Sequence, residues 1–324
     1  MKPKKYIRVA GRYYLLSEMP LSNGETLKRR IPFPKDAIRD DHSKDFISNI
    51  PKYDGFVCIP NNLTHRKEIK NYYNIYHPLQ HELLEGEWEN IKQFIKHIFG
   101  DQYEIGLDYL SILLRYPIQK LPILCLVSTQ RSTGKTTFLK LLKAIYGYNL
   151  VFISNDLLNG KFNSFLEGKL LAVLDEGLLS TKEVTEKLKN LSTADFVSLE
   201  AKGKDPVEVE SFTKIIICSN NEDNFIVIDE HSERFWVRKV NPIDKEDPFL
   251  LKKMVDELPA FLYFLKERKI STPNQTRMWF DKSQLVTPAL KKLIAYNRSS
   301  LEKIMAGKLI TVIEDMDLEE IDFV

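Results

Sequence analysis

STQRSTGKTTFLKLLKAIYG, residues 128–147, is the stretch on which the reading of this chain turns. Its centre, Gly134-Lys135-Thr136-Thr137, matches the end of the phosphate-loop pattern G-x-x-x-x-G-K-[ST]; the first glycine of that pattern falls at position 129, which is Thr129. PILCLVS precedes the loop and is a short apolar run of the kind that forms a buried parallel strand. After it, Phe138, Leu141, Leu142 and Ile145 recur at helical spacing, opposite Lys140 and Lys143, until Gly147. A lysine opening a helix directly after strand and loop stands among backbone N–H groups that converge on an anion. Ser132, Thr133, Gly134, Lys135, Thr136 and Thr137 are therefore the expected nucleotide-phosphate residues, with Thr136 offering its hydroxyl to Mg²⁺ beside bound ATP. Gly134 marks the closest approach of backbone to phosphate. Position 129 only starts the turn, so a side chain fits there if its φ is negative. The competing reading is a chance Gly-Lys-Thr at a helix start, and the strand before it and helix after it outweigh that reading.

Three further motifs follow. Leu170–Glu176 (LLAVLDE) is an apolar strand ending in two acids, Asp175 to hold the Mg²⁺ shell and Glu176 to orient or deprotonate an attacking water. Ile215–Asn221 (IIICSNN) is a buried strand ending in Asn220, which can sense a γ-phosphate; a plain Asn-Asn turn is the alternative. Between them DFVSLEAKGKDPVEVESF alternates about a turn and reads as a long hairpin with Lys202 and Lys204 at its tip. Lysines on a turn are usually only solvated, so the charge alone proves little. After the Asn strand comes ERFWVR, in which Arg234, anchored by an aromatic pair, can reach a neighbouring subunit's γ-phosphate; an intrachain ion pair competes with that role.

Around this centre the chain of 324 residues has room for an α/β domain with additions. Its net charge of +2 hides an asymmetry: residues 301–324 hold two lysines and seven carboxylates, so the first 300 residues carry +7, which is compatible with a polyanionic partner, although many metabolic enzymes are just as basic. Cys58, Cys125 and Cys218 sit in apolar runs, no C-x-x-C pair exists and the six histidines are scattered, which argues against zinc and for buried thiols in a reducing compartment. No signal-peptide core and no membrane-length apolar run is present, so a cytoplasmic location is expected. KYIRV-AG-RYYLL reads as a hairpin and YDGFVCIP as a strand. Helical spacing begins at Trp88 and ends at Gly100, and a second helix runs to Pro117. The expected plan is an N-terminal α+β region over 1–85, helices over 86–118, an α/β core with a parallel sheet over 119–245, and C-terminal helices with an acidic tail over 246–324.

The order of motifs resembles a superfamily-three helicase, the compact AAA+-related motor of small DNA viruses, phages and plasmids. Gly134 to Thr137 match its Walker A loop, Asp175 and Glu176 its Walker B strand, Asn220 its motif C, Arg234 its arginine finger, and Lys202 and Lys204 the tip of its hairpin. A finer likeness is to the helicase part of phage and prophage primase–helicases of the poxvirus-like branch, carried by YNIYHPLQHELLEGEW, HIFGDQYEIGLDYL, PIQKLPILCLVSTQRSTGKTTFL and RMWF, over about residues 50–290. In that branch the first loop glycine is often absent. The resemblance implies a P-loop ATPase core of AAA+ type, a homo-hexameric ring binding ATP and Mg²⁺ between subunits, and translocation on single-stranded DNA gripped by Lys202 and Lys204. It implies helices 88–116 as a collar, and a phage- or prophage-encoded protein in the cytoplasm of a bacterial host. Against that family the chain shows neither an N-terminal primase domain nor room for a full C-terminal winged helix, so priming is expected either from another protein, a separate primase or replication initiator, or from a missing portion. Two rivals stay open: a nucleotide-switched scaffold ATPase, which need not carry the lysine-tipped hairpin, and a small-molecule kinase, which would share only the loop.

Overall fold

The computed structural model describes residues 5–20, 26–161, 163–179, 181–203, 205–228 and 234–298. The chain divides after Pro78 into two compact units, a few residues before the composition change near 85.

The first unit opens with β1 (Lys5–Val9) and β2 (Arg12–Pro20), an antiparallel pair joined by Ala10 and Gly11 at φ 46° and 81°. Two consecutive positive φ values are what a two-residue hairpin needs to follow the strand twist. β3 (Thr26–Pro32) extends the hairpin, α1 (Lys35–Asp41) and α2 (Lys44–Ser48) follow, and β4 (Lys52–Tyr53) returns beside β1, giving the order β3-β2-β1-β4. Tyr6, Ile38, Ile47 and Ile50 form the buried core beneath, with Tyr13, Leu15, Phe33 and Phe46 packed on it. A second sheet of order β5-β7-β6 is made by β5 (Gly55–Val57), β6 (Glu68–Ile69) and β7 (Tyr72–Asn74). The buried Asn74 side chain holds its loops, accepting from the N–H groups of Ile59 and Tyr76 and donating to the carbonyls of Ile59 and Arg66.

The second unit begins with α3 (Glu89–Phe99), ended by Gly100 at positive φ, and α4 (Tyr103–Arg115). Glu257 accepts from the N–H groups of Asn90 and Ile91, satisfying donors that the first turn of α3 leaves open. Then come β8 (Ile123–Val127), α5 (Lys135–Tyr146), β9 (Leu150–Ile153), α6 (Asn155–Asn159), β10 (Leu171–Leu174) and α7 (Lys182–Thr193). A hairpin of β11 (Phe196–Leu199) and β12 (Val207–Glu210) leads into β13 (Lys214–Ser219) and β14 (Phe235–Lys239). The chain is an α/β protein: β14-β8-β13-β10-β9 form one five-stranded sheet, parallel throughout.

The sequence reading missed β14 as a strand. Phe235, Trp236 and Val237 are buried in the sheet, and Trp236 stacks on Phe99 at 5.2 Å. Arg238 closes that contact from within, donating to the Phe99 carbonyl at 2.6 Å and pairing with Asp101 at 2.7 Å. The hairpin is also shorter than expected, with four paired positions.

Alternate residues of the strands point to opposite faces. Ile123, Cys125, Val127, Ile215, Ile217, Phe235 and Val237 join a core with Val184 and Leu188 of α7. On the other face Trp236 meets Phe99 and Tyr109, and Phe99 meets Phe138 of α5. α8 (Leu250–Asp256) and α9 (Leu258–Glu267) pack on α3 and α4, and α10 (Lys282–Leu285) and α11 (Pro288–Asn297) on β14. Arg268, just past α9, is fixed to α4 by the fully buried Asp108, which also accepts from Ser271 and Thr272. The acidic stretch 301–324 lies outside the described residues. Among the described residues no helix is long and apolar enough to cross a membrane.

Candidate functional site

Because the sheet is parallel, the loops after β8, β10 and β13 leave from one edge, where open α/β sheets bind ligands. There Arg131 to Thr137, Asp175, Glu176, Cys218, Ser219 and Asn220 line a cleft of about 490 Å³. Sequence neighbours do not explain the meeting: Lys135 and Asp175 come together because β13 lies between β8 and β10 and carries Asn220 at its end.

The loop is held from three sides. Its opening N–H, at Thr129, donates to Glu222 Oε1 at 3.1 Å. His97 of α3 donates to the Thr133 carbonyl at 3.0 Å, and the Ile243 N–H donates to the Ser132 carbonyl at 3.0 Å. Ser132 and Gly134 both take positive φ, 54° and 86°, while Thr129 does not. A β-carbon at Gly134 would lie 2.9 Å from Cε2 of Phe94 and 3.3 Å from Cδ1 of Ile243, so this position admits only glycine. Position 129 needs no glycine.

Gly134 is the residue before α5, and the open N–H groups of that helix start face the cleft. Lys135 is buried and its ammonium donates to Thr133 Oγ1 at 3.0 Å. Burial holds its pKa below the ordinary value, opposed by Cys218, Asp175 and Glu222. Thr136 Oγ1 donates to Asp175 Oδ1 at 3.2 Å. Glu176 follows Asp175 at φ 60°, an exposed side chain on a conformation that non-glycine residues seldom take. Asn220 is exposed at the cleft, while Asn221 is spent on a turn, accepting from the N–H groups of Asp223 and Asn224. Cys218 is buried, its thiol directed to the Lys135 carbonyl at 3.8 Å, and burial pushes its pKa well up.

Two predicted groups lie elsewhere. Arg234 precedes β14, and its carbonyl accepts from the N–H of Ile123 at the start of β8. It therefore stands at the opposite sheet edge from the loop, about 16 Å away at roughly 3.3 Å per residue over the strand. Among the described residues no ion pair holds it. The hairpin leaves that same far edge. Its base is clamped by two buried lysines: Lys120 donates to the carbonyls of Ala194 (2.6 Å) and Ser211 (2.5 Å), and Lys214 donates to those of Pro117 and Phe212. Lys202 is exposed at the tip, and Lys204 lies outside the described residues. Residues 195–210 carry five acids against these two lysines, so the arm is acidic along its length and basic only at its turn.

Sequence reasoning overlooked Glu222. It is buried, receives the Thr129 N–H and pairs with Lys239 at 3.1 Å and Lys292 at 3.7 Å. Its partners are scattered over the chain, and the only local signal was a carboxylate directly after the Asn strand.

The family model of a family of unknown function (DUF5906) matches residues 126–238, which span the loop, both acids, the hairpin, Asn220 and Arg234. No curated protein matches the chain in sequence. Among solved structures, the fold is similar to the apo structure of the NrS-1 C-terminal region (305–718), at a TM-score of 0.69 and 18% identity, covering 94% of this chain and 74% of that one. An A-form apo structure of the same region gives a TM-score of 0.67 and 19% identity over 96% of this chain and 78% of that one. The chain thus resembles the NrS-1 C-terminal region in fold.

Proposed function

We propose that the chain is an ATP-driven DNA helicase of a phage or mobile element, working as a homo-hexameric ring on single-stranded DNA. The observation that carries this reading is the meeting of Lys135, Thr136, Asp175, Glu176 and Asn220 at one sheet edge while Arg234 stands at the other. An arginine a strand's length from its own cleft serves a cleft on another copy, so the site is completed between subunits. In this reading Lys135 and the N–H groups of residues 132–137 bind the phosphates, and Glu176 orients or deprotonates the attacking water. Asn220 senses the γ-phosphate, and Arg234 of an adjacent copy stabilises transition-state charge.

Gly134, whose missing side chain leaves the cradle open, and the oxygen pair Thr136–Asp175 fit a hard cation together with a nucleoside triphosphate. These two oxygens would hold Mg²⁺, and the phosphate oxygens would complete its shell. Bound there, Mg²⁺ neutralises charge on the phosphates. Coupling to DNA runs through β13, which is buried along its length, with Asn220 at one end and the clamped hairpin at the other.

The test is ATP hydrolysis by wild type and Lys135→Ala, with and without single-stranded DNA. The reading expects hydrolysis in wild type only, stimulated by DNA, with Lys202→Ala plus Lys204→Ala removing the stimulation and sparing the basal rate. A second reading, a nucleotide-switched oligomeric scaffold, is favoured by one observation, the acidic arm behind the two lysines. A basal rate indifferent to DNA selects it.

A further inference from the structure

The basic charge of this chain is not shared evenly. Residues 1–78 hold 15 Lys and Arg against 8 Asp and Glu, whereas residues 79–300 hold 30 of each. The excess therefore belongs to the first unit, which has no part in the cleft described above.

That unit also carries aromatic side chains that its core does not use. Along β2, Tyr13 and Leu15 pack on the buried cluster, so Tyr14 faces the other way. There the rings form a continuous row. Tyr14 meets Phe56 at 5.3 Å, Phe56 meets Tyr73 at 6.2 Å, and Tyr73 meets Tyr53 at 5.3 Å, each pair edge-to-face. None of the four belongs to the buried cluster, and Phe56 is 38% exposed. Cations border the row: the Arg30 guanidinium lies 5.1 Å from the centre of the Phe56 ring and the Lys67 ammonium 5.5 Å from that of Tyr73. Both cationic residues are exposed, and Lys28 and Arg29 precede Arg30 on β3.

An aromatic row bordered by cations on a unit of net positive charge meets the two demands of an unpaired nucleic-acid strand. Its bases present flat π-faces to rings, and its phosphates need neutralising charge. A duplex hides its base faces, and an acidic protein surface offers no stack of them. We propose that this face of the first unit is a binding site for single-stranded nucleic acid, with bases on Phe56 and Tyr73 and phosphates on Arg30 and Lys67. The site reads no sequence. It stands whether or not the second unit hydrolyses ATP.

The test uses the full chain and a fluorescently labelled oligothymidylate followed by anisotropy. Phe56→Ala and Tyr73→Ala should each weaken binding roughly tenfold. Arg30→Ala with Lys67→Ala should lower the slope of log affinity on log salt by about 1.4, the contribution of two single-strand phosphates. Phe56→Trp and Tyr73→Trp retain a stacking face and should bind as wild type does, which separates stacking from a general loss of folding. Lys135→Ala should bind the oligonucleotide normally even if it hydrolyses nothing, so failure here and failure of the ATPase reading are distinguishable. The proposal is overturned if folded alanine variants bind as tightly as wild type, if the tryptophan variants lose as much as the alanine ones, or if a duplex of equal length competes as well as the single strand.

Discussion

The backbone N–H of Thr129 donates to Oε1 of Glu222 at 3.1 Å, and that buried carboxylate is tied in turn to Lys239 at the end of β14 and Lys292 on α11. The start of the phosphate loop is thus set by a side chain 93 positions away and not by a glycine turn. Glu222→Ala leaves the Thr129 donor without its acceptor, at a cost of about 1–3 kcal/mol, and should raise the KM for ATP more than it lowers kcat. Glu222→Gln keeps an acceptor oxygen and should recover part of the loss. Steady-state kinetics check both, and an alanine variant with wild-type KM contradicts the assignment. Thr129→Gly restores the consensus loop but relieves no strain, since Thr129 lacks positive φ. It should leave ATP affinity no better and stability lower by about 0.5–1 kcal/mol, read by thermal melting.

Gly134 and Gly203 separate strain from collision. Both have positive φ, but a β-carbon at Gly203 meets nothing within 4 Å, whereas at Gly134 it meets Phe94. Gly203→Ala should cost about 1–2 kcal/mol from backbone strain alone, with ATP binding intact. Gly134→Ala should abolish binding of an ATP analogue, measured by calorimetry. Equal effects at the two sites would contradict this separation.

How much of this was legible in the sequence follows from how far apart the interacting residues lie. The loop, its helix and the Ala10–Gly11 hairpin are set by neighbours within a few positions, so PILCLVS, Gly134 and Gly147 announced them. The apolar run LLAVLDE likewise placed Asp175 at a strand end. β14 was hidden because its short FWV run is flanked by arginines. The burial of Arg238 depends on Asp101, Gln102 and the Phe99 carbonyl, more than 130 positions earlier. Glu222 was hidden for the same reason. Arg234 was singled out only by a likeness of motif order, and its place at the far sheet edge needed the strand register.

Lys214 gives the chain a pH signature. Burial, with the charge of Lys120 adding to it, holds this ammonium well below its ordinary value of 10.5. Between its folded and unfolded values the folded chain binds fewer protons at this site than the unfolded chain, so this contribution to stability grows as pH rises through that window and is least on its acid side. Lys214→Met should flatten that rise in Tm. It should also lower Tm overall, because the carbonyls of Pro117 and Phe212 lose their donor. Melting curves across alkaline pH check the slope, and an unchanged slope in the variant contradicts the assignment.

The central claim is that ATP is hydrolysed at a cleft completed by Arg234 from another copy. Mixing two inactive proteins, Lys135→Ala and Arg234→Ala, and measuring ATP hydrolysis against mixing ratio tests it most directly. The account predicts activity that neither variant shows alone and that peaks at intermediate ratios, because an intact loop then faces an intact arginine at some interfaces. No hydrolysis at any ratio, with the two variants shown to co-assemble, would contradict it.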